Sequence, residues 1–303
     1  MVKDTRREFM GEKRAAVYCE NKDIQKVSFQ DKLLRILYKT APGRVALNVL
    51  IRPVVSRTIG ALLDTRPSAV LISSFVRKNH IDMSECEKNT FVSFNDFFKR
   101  RLKVGSRPIC QEPGSFVSPC DGKLTVYDIE DSDQCTFNIK DSEYALDELL
   151  RDERLASRYK GGTMWLFRLC VDDYHRYIYN VEGKQSHVRR IEGLYHTVNP
   201  IASDIYKIYK ENTREYCLIK TKEMGTIVHM EVGAMFVGRI ENSHMKGCMV
   251  NKGQEKGNFA YGGSTIIILT QKGSVAPLGD ISHNSGLDIE TQVRQGQKVG
   301  TII

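Results

Sequence analysis

The chain has 303 residues, 41% of them hydrophobic, and carries 45 basic against 37 acidic side chains for a net charge of +8. That is room for one large domain with a smaller appendage, and too polar for a chain built of membrane spans. The eight cysteines are scattered without a Cys-x-x-Cys pair, which argues against a zinc cluster and for reduced, cytosolic thiols; no secretory signal is visible.

Residues 1–30 are polar and mixed. Between Lys32 and Lys78 stand Lys32, Arg35, Lys39, Arg44, Arg52, Arg57, Arg66, Arg77 and Lys78 against a single acid, Asp64, and elsewhere the charges balance. The same stretch is apolar at Leu33, Leu34, Ile36 and Leu37, from Val45 to Ile51, from Ile59 to Leu63 and from Val70 to Phe75. No run approaches the roughly 20 residues that span a bilayer. Pro42-Gly43, Pro53 and Pro67 divide the stretch into short helices. Two arrangements fit equally: helices lying in the interface of an anionic membrane, or a helical subdomain with a solvated basic face, packed on the core. Nucleic acid is not expected, because no aromatic platform or known motif accompanies the charge.

Phe91 to Leu102 reads as a further helix with Ser93 as its cap. From Val117 the pattern turns to strands: Lys123 to Ile129, Thr163 to Val171, Tyr174 to Val181, His187 to Val198, Thr226 to Ile240 and Thr265 to Thr270. Helices are expected over Tyr144 to Ser157 and Ser203 to Glu211. The segments 174–181 and 187–198, joined by Glu182-Gly183-Lys184-Gln185, are expected to pair as a hairpin. Val293-Arg294-Gln295-Gly296-Gln297-Lys298-Val299-Gly300 has the form of a turn in lipoyl-type sandwiched barrels and pairs naturally with Ser118-Pro119-Cys120-Asp121-Gly122. The expected class is α+β, a mainly β, barrel-sandwich-like core (80–303) with an N-terminal helical segment (1–79), membrane-associating in the first of the two arrangements above.

The chemistry concentrates at Tyr261-Gly262-Gly263-Ser264-Thr265, which runs into Ile266-Ile267-Ile268-Leu269. Ser264 can attack its own backbone, because its Oγ lies close in the chain to the Gly263 carbonyl, and glycine adopts backbone angles closed to other residues. The resulting ester can eliminate to dehydroalanine, and hydrolysis of the imine tautomer gives a pyruvoyl group and ammonia. Taken alone, Gly-Gly-Ser-Thr is more often a turn before a buried strand. The attack needs a base for the Ser264 proton and an acid for the leaving nitrogen, and a histidine oriented by a carboxylate does both.

Lys252-Gly253-Gln254-Glu255-Lys256-Gly257-Asn258-Phe259 leads into Gly262-Gly263-Ser264-Thr265. Ahead of it stand Phe94-Asn95-Asp96-Phe97-Phe98, Ser118-Pro119-Cys120-Asp121-Gly122, Asp173-Tyr174-His175-Arg176 and Thr197-Val198-Asn199-Pro200-Ile201-Ala202. In that order these motifs resemble the phosphatidylserine decarboxylases, in the subgroup with Gly-Gly-Ser-Thr rather than Leu-Gly-Ser-Thr. The resemblance runs from about Leu33 to the C-terminus. It implies cleavage between Gly263 and Ser264 into a β chain, 1–263, and an α chain, 264–303, held as a heterodimer, with a dimer of that pair left open. It implies a covalent pyruvoyl cofactor made from Ser264, which forms a Schiff base with phosphatidylserine and releases CO2 to give phosphatidylethanolamine. It tips the N-terminal segment toward peripheral binding at the cytoplasmic face of a bacterial membrane, held by side chains such as Leu47, Leu50 and Phe75.

The resemblance assigns Asp121 to the self-cleavage triad. Many members carry His-Arg-x-His, the second histidine being the base; here that position is Ile178, so the base comes from elsewhere, His196 being the best substitute, or His175 is reused. His175 is assigned to reprotonation after decarboxylation. Arg176 is expected to orient the substrate carboxylate or phosphate, with a surface salt bridge equally compatible, and Thr265 to position the pyruvoyl group. His80, His187, His229, His244 and His283 are expected on the surface or in packing, and no metal is expected. The rival readings are a pyruvoyl decarboxylase of a soluble amino acid and a non-catalytic barrel-sandwich carrier.

Overall fold

The computed structural model describes residues 29–139, 142–198, 202, 206–235, 239–262 and 264–303. Gly263, Asn199-Pro200-Ile201, Ser203 and residues 1–28, all used in the sequence reading, lie outside them.

In chain order the helices are α1 (Phe29–Lys39), α2 (Ala41–Leu50), α3 (Pro53–Leu63), α4 (Leu71–Lys78), α5 (Phe94–Phe98), α6 (Leu146–Leu150), α7 (Glu153–Ala156), α8 (Ile208–Glu211) and α9 (Gly279–Gly286). The strands are β1 (Ser115–Val117), β2 (Gly122–Asp128), β3 (Thr136–Ile139), β4 (Ser142–Ala145), β5 (Thr163–Leu169), β6 (Arg176–Ile178), β7 (Gly183–Gln185), β8 (Arg189–Ile191), β9 (Arg214–Lys220), β10 (Thr226–Val232), β11 (Ile240–Asn242), β12 (Cys248–Val250), β13 (Glu255–Phe259), β14 (Ser264–Thr270), β15 (Val275–Pro277), β16 (Thr291–Val293) and β17 (Lys298–Ile302).

The β-branched run after Ser264 becomes β14, every residue of which is buried, as a strand covered on both faces requires. It runs down the middle of a nine-stranded sheet of order β12-β7-β9-β10-β14-β5-β2-β16, with β8 added on β9. Two three-stranded sheets, β1-β17-β15 and β11-β13-β6, pack on one face of it. Phe116 meets Trp165 of β5 with ring centres 4.8 Å apart, and Lys256 of β13 reaches Glu231 of β10 at 2.6 Å, both fully buried. Helices close the other face, where Arg214 of β9 donates to the Leu149 and Glu148 carbonyls at the C-terminal half of α6.

The proline-punctuated helices form as expected, and Ser93 caps α5 through its Oγ, which accepts from the Asp96 N–H at 3.1 Å. The N-terminal helices are packed onto the rest of the protein. Tyr38, Leu47 and Ile51 enter the main core, while Leu63, Ile72, Phe75 and Val76 pack against Phe94, Phe97 and Phe98. Leu47 and Phe75 are therefore committed inward, and the apolar residues left exposed are Leu33, Ile36, Val45, Val49, Val54, Leu62, Val70 and Leu71.

Several expectations fail for local reasons. The barrel-sandwich does not close: the Ser118 turn and the C-terminal turn do meet, through Ser118 N–H to Gln297 O at 2.8 Å and Gly296 N–H to Ser118 O at 2.9 Å, but the described strands form open antiparallel sheets. The helix expected over 144–157 breaks at Arg151, whose φ is +49°, and restarts where Asp152 caps α7. The 174–181 and 187–198 hairpin does not form, because β6 pairs with β13 and β8 with β9.

Candidate active site

Antiparallel partners share a sheet face and successive residues alternate. Ser264 opposes Leu169 on β5, and Ile266 opposes Glu231 on β10, so Ser264 points to the face covered by β13 and β6. Thr265 opposes Arg168 and Val232 and points to the helical face. Both hydroxyls are fully buried and neither has a hydrogen-bond partner among the described residues. Gly262, just ahead of the expected cleavage site, has a φ of +125°, an angle open to glycine.

His175 lies immediately before β6, in the layer over Ser264. Its backbone carbonyl accepts from the Phe259 N–H at 2.9 Å, and its ring is fully buried against Phe98, centroids 4.1 Å apart. Nδ1 is 2.9 Å from the Asp173 carbonyl oxygen. A carbonyl only accepts, so Nδ1 carries the proton and Nε2 the lone pair. Among the described residues Nε2 makes no hydrogen bond of ordinary geometry. Burial pulls the His175 pKa down to about 3; the Arg100 charge adds to the drop, and the Asp173 and Gly262 backbones oppose it. The reactive edge of His175 is thus a neutral base beside the glycine segment that ends at Ser264.

Asp121 is anchored elsewhere. Arg107 donates to it from Nε at 2.9 Å and Nη2 at 2.7 Å, and the Gln295 N–H donates at 2.8 Å. Gly122 holds the turn: a Cβ there would lie 2.7 Å from the Arg168 carbonyl oxygen. The Ile178 N–H bonds Pro119 O of the same turn at 2.9 Å, so the carboxylate stands near the position where many members carry the second histidine, with Arg107 on it instead. Among the described residues no hydrogen bond joins Asp121 to His175 or His196. Burial, with the Asp172 and Asp121 charges, pushes Asp173 up to about 7, while its Oδ2 accepts from the Cys170 N–H at 2.7 Å.

His196 is held by a different set of residues. Its Nδ1 is 3.3 Å from the Tyr38 hydroxyl, its ring stacks on Tyr206 at 4.6 Å, and Nε2 lies 3.4 Å from Glu211 at the end of α8. Burial pulls its pKa down to about 4. Its link to the Ser264 strand is indirect: Asn212 Nδ2 donates to both His196 O and Gly233 O, and Gly233 follows Val232, the partner of Thr265. The hairpin that was to bring His196 to the space beside Ile178 is the one that does not form.

Arg176, expected to meet substrate, is fully engaged. Its Nε donates to the Lys99 and Arg100 carbonyls at 2.9 and 3.3 Å, and its Nη1 to Glu255 at 2.7 Å; it ties the end of α5 to β6 and β13. Two residues were missed by the sequence reading. Arg107 lies in a loop and meets Asp121 only through tertiary folding. Arg100 lies just beyond α5, where its N–H bonds Phe97 O at 3.0 Å, and its guanidinium carbon is 5.1 Å from the Phe97 ring centre.

The sequence model of the phosphatidylserine decarboxylase family matches residues 94–301. A phosphatidylserine decarboxylase proenzyme 2 of Clostridium acetobutylicum is 40% identical over 285 residues, covering 92% of this chain and 97% of that one. The chain belongs to the phosphatidylserine decarboxylase family. Proenzymes of the same description from Ruminiclostridium cellulolyticum, 39% identical over 93% of this chain and 94% of that one, and from Fusobacterium nucleatum, 38% identical over 88% and 90%, are similar along nearly their whole length. The family match begins at the first residue of α5, so the Phe94–Phe98 helix that packs on His175 lies inside it.

Proposed function

We propose that the chain carries out the reaction its family is named for, converting phosphatidylserine to phosphatidylethanolamine and CO2, on a pyruvoyl group made from its own Ser264. The observation that carries this reading is a pair of buried groups without a hydrogen-bond partner of ordinary geometry among the described residues, Ser264 Oγ and His175 Nε2, on the same side of the central sheet. Orphaned polar atoms in a core are costly, and a group that reacts is a reason to keep them. In this reading His175 serves both steps. Nε2 takes the Ser264 proton as Oγ attacks the Gly263 carbonyl carbon, and passes it to the nitrogen of residue 264 as that C–N bond breaks. The ester eliminates: a base takes the Cα proton of residue 264 as the Gly263 carboxylate leaves Cβ, and water converts the remaining enamine, through its imine, to the ketone with loss of ammonia.

The group formed supplies an electron sink for the pair released with CO2. His175 Nε2, on the same face, takes a proton from water and passes it to the substrate carbon, while Thr265, whose hydroxyl has no hydrogen-bond partner among the described residues, follows the modified position in the strand. Asp121 and Arg107 act through position, fixing the turn that β6 rests on.

The substrate side is a membrane. Exposed Val45, Val49, Val54 and Leu62 are interleaved with Arg44, Arg52 and Arg57 on α2, α3 and the residue between them. No single described helix is long and apolar enough to cross a bilayer; α2 and α3 reach that length and apolarity only as a pair, and that pair is bent by 65° at its junction. This supports a segment that lies in the interface of an anionic membrane. Incubation with phosphatidylserine in mixed micelles is expected to yield equimolar CO2 and phosphatidylethanolamine; release of neither by mature protein would sink the reading.

A further inference from the structure

Arg100 is only 4% exposed, and its Nε and Nη1 have no hydrogen-bond partner among the described residues. Nη2 reaches the Asp172 carbonyl at a long 3.5 Å, and the Cys86 thiol is a weak further contact. The Asp121 carboxylate, whose charge is felt at Arg100, is taken by Arg107. Burial pushes the Arg100 pKa down, as for a cation without a full counter-charge. Arginine cannot relieve this by losing its proton near neutrality. The residue is nonetheless held firmly: its N–H bonds Phe97 O at 3.0 Å, and Arg176 grips its carbonyl. Its charge acts directly on His175. A fixed, buried, incompletely paired cation beside the reactive histidine is a site that a ligand anion completes.

We propose that Arg100 receives the phosphodiester of the substrate headgroup. The proposal rests on phosphatidylserine being the substrate. That lipid brings two anions, and the chemistry separates them. The carboxylate departs as neutral CO2, so a cation fixed on it would stabilise the reactant more than the transition state. The phosphodiester keeps its charge throughout, so a cation on it binds reactant and transition state alike and does not slow the chemical step. Guanidinium N–H groups match phosphate oxygens in geometry and charge. Tyr261 covers α5, its ring 5.0 Å from that of Phe94 and 5.2 Å from that of Phe98.

The test uses mature, cleaved enzyme and two soluble amines, glycerophosphoethanolamine and ethanolamine. Both offer the amine; the former adds the phosphodiester, and neither has a carboxylate or acyl chains. By calorimetric titration, wild type should bind glycerophosphoethanolamine more tightly than ethanolamine. Arg100→Gln should weaken the former about ten- to hundredfold, the scale of a charge-assisted hydrogen bond, and leave ethanolamine unchanged, with Arg100→Lys in between. Unchanged glycerophosphoethanolamine binding by Arg100→Gln, or equal weakening of both ligands, overturns the proposal. If the variants do not mature, wild type decides alone, and equal affinity for the two amines overturns it. Failure to release CO2 from phosphatidylserine is a separate result that strikes the functional reading, whatever Arg100 does.

Discussion

The proton on His175 Nδ1, fixed by the Asp173 carbonyl, leaves Nε2 as the only basic edge of that ring, and this separates it from His196, the other candidate for the base. His175→Ala is expected to remain full length on a denaturing gel. His196→Ala is expected to cleave, with a lowered melting temperature from the lost stacking on Tyr206 and the contact with Tyr38, on the order of 1–3 kcal/mol. The reverse pattern would make His196 the base. The pH dependence follows from the depressed His175 pKa. The neutral ring is the active form, and with a pKa of about 3 it stays neutral as pH falls through the ordinary range near 6.5. Cleavage of freshly synthesised proenzyme should therefore keep a constant rate from pH 8 to 5. A midpoint near 6.5 would mean that an ordinary, exposed imidazole controls the step.

At the scale of elements, Arg176 shows how a motif residue can be structural. It joins α5 to β6 and β13 through the Lys99 and Arg100 carbonyls and Glu255, so Arg176→Ala should lower the melting temperature by several degrees. This is the effect of losing charge-assisted bonds of about 1.5–3 kcal/mol each; differential scanning calorimetry measures it. A rise in KM without loss of stability would restore Arg176 to the substrate. The sequence revealed elements where one local signal dominated: β14 from its β-branched run, α5 from its Ser93 cap, the N-terminal helices from their prolines. It misread segments whose partner is distant. β6 is three residues long and takes its place from β13, some eighty residues away, and β7 leads the chain into the central sheet instead of back along β6. The site was legible in the same uneven way. Ser264, His175 and Asp121 stand in compact motifs, whereas the Arg107 that holds Asp121 and the burial that leaves Arg100 unpaired arise only when loops and layers meet.

For the whole molecule, the charge and the cleavage site make separate forecasts. The basic N-terminal helices leave Val45, Val49, Val54 and Leu62 exposed, so protein should float with anionic vesicles, more weakly as the Debye length falls from about 10 Å at 0.1 M salt to about 3 Å at 1 M. Reversing Arg44, Arg52 and Arg57 to Glu should abolish flotation and spare activity on detergent-dispersed substrate; unchanged flotation with a lowered melting temperature would make the basic face structural. Cleavage should not separate the chains. β14 lies between β10 and β5, β16 pairs with β2 and β17 with β1, so three strands of residues 264–303 are hydrogen-bonded to strands from the rest of the protein. The most direct test of the account is the mass of the active enzyme under denaturing conditions. The account predicts two chains from the 34.5 kDa precursor, the smaller of about 4.6 kDa by its share of the 303 residues, with an N-terminus that lacks an amine, and a single uncleaved, inactive chain for Ser264→Ala. Full activity from an intact 303-residue chain would contradict it.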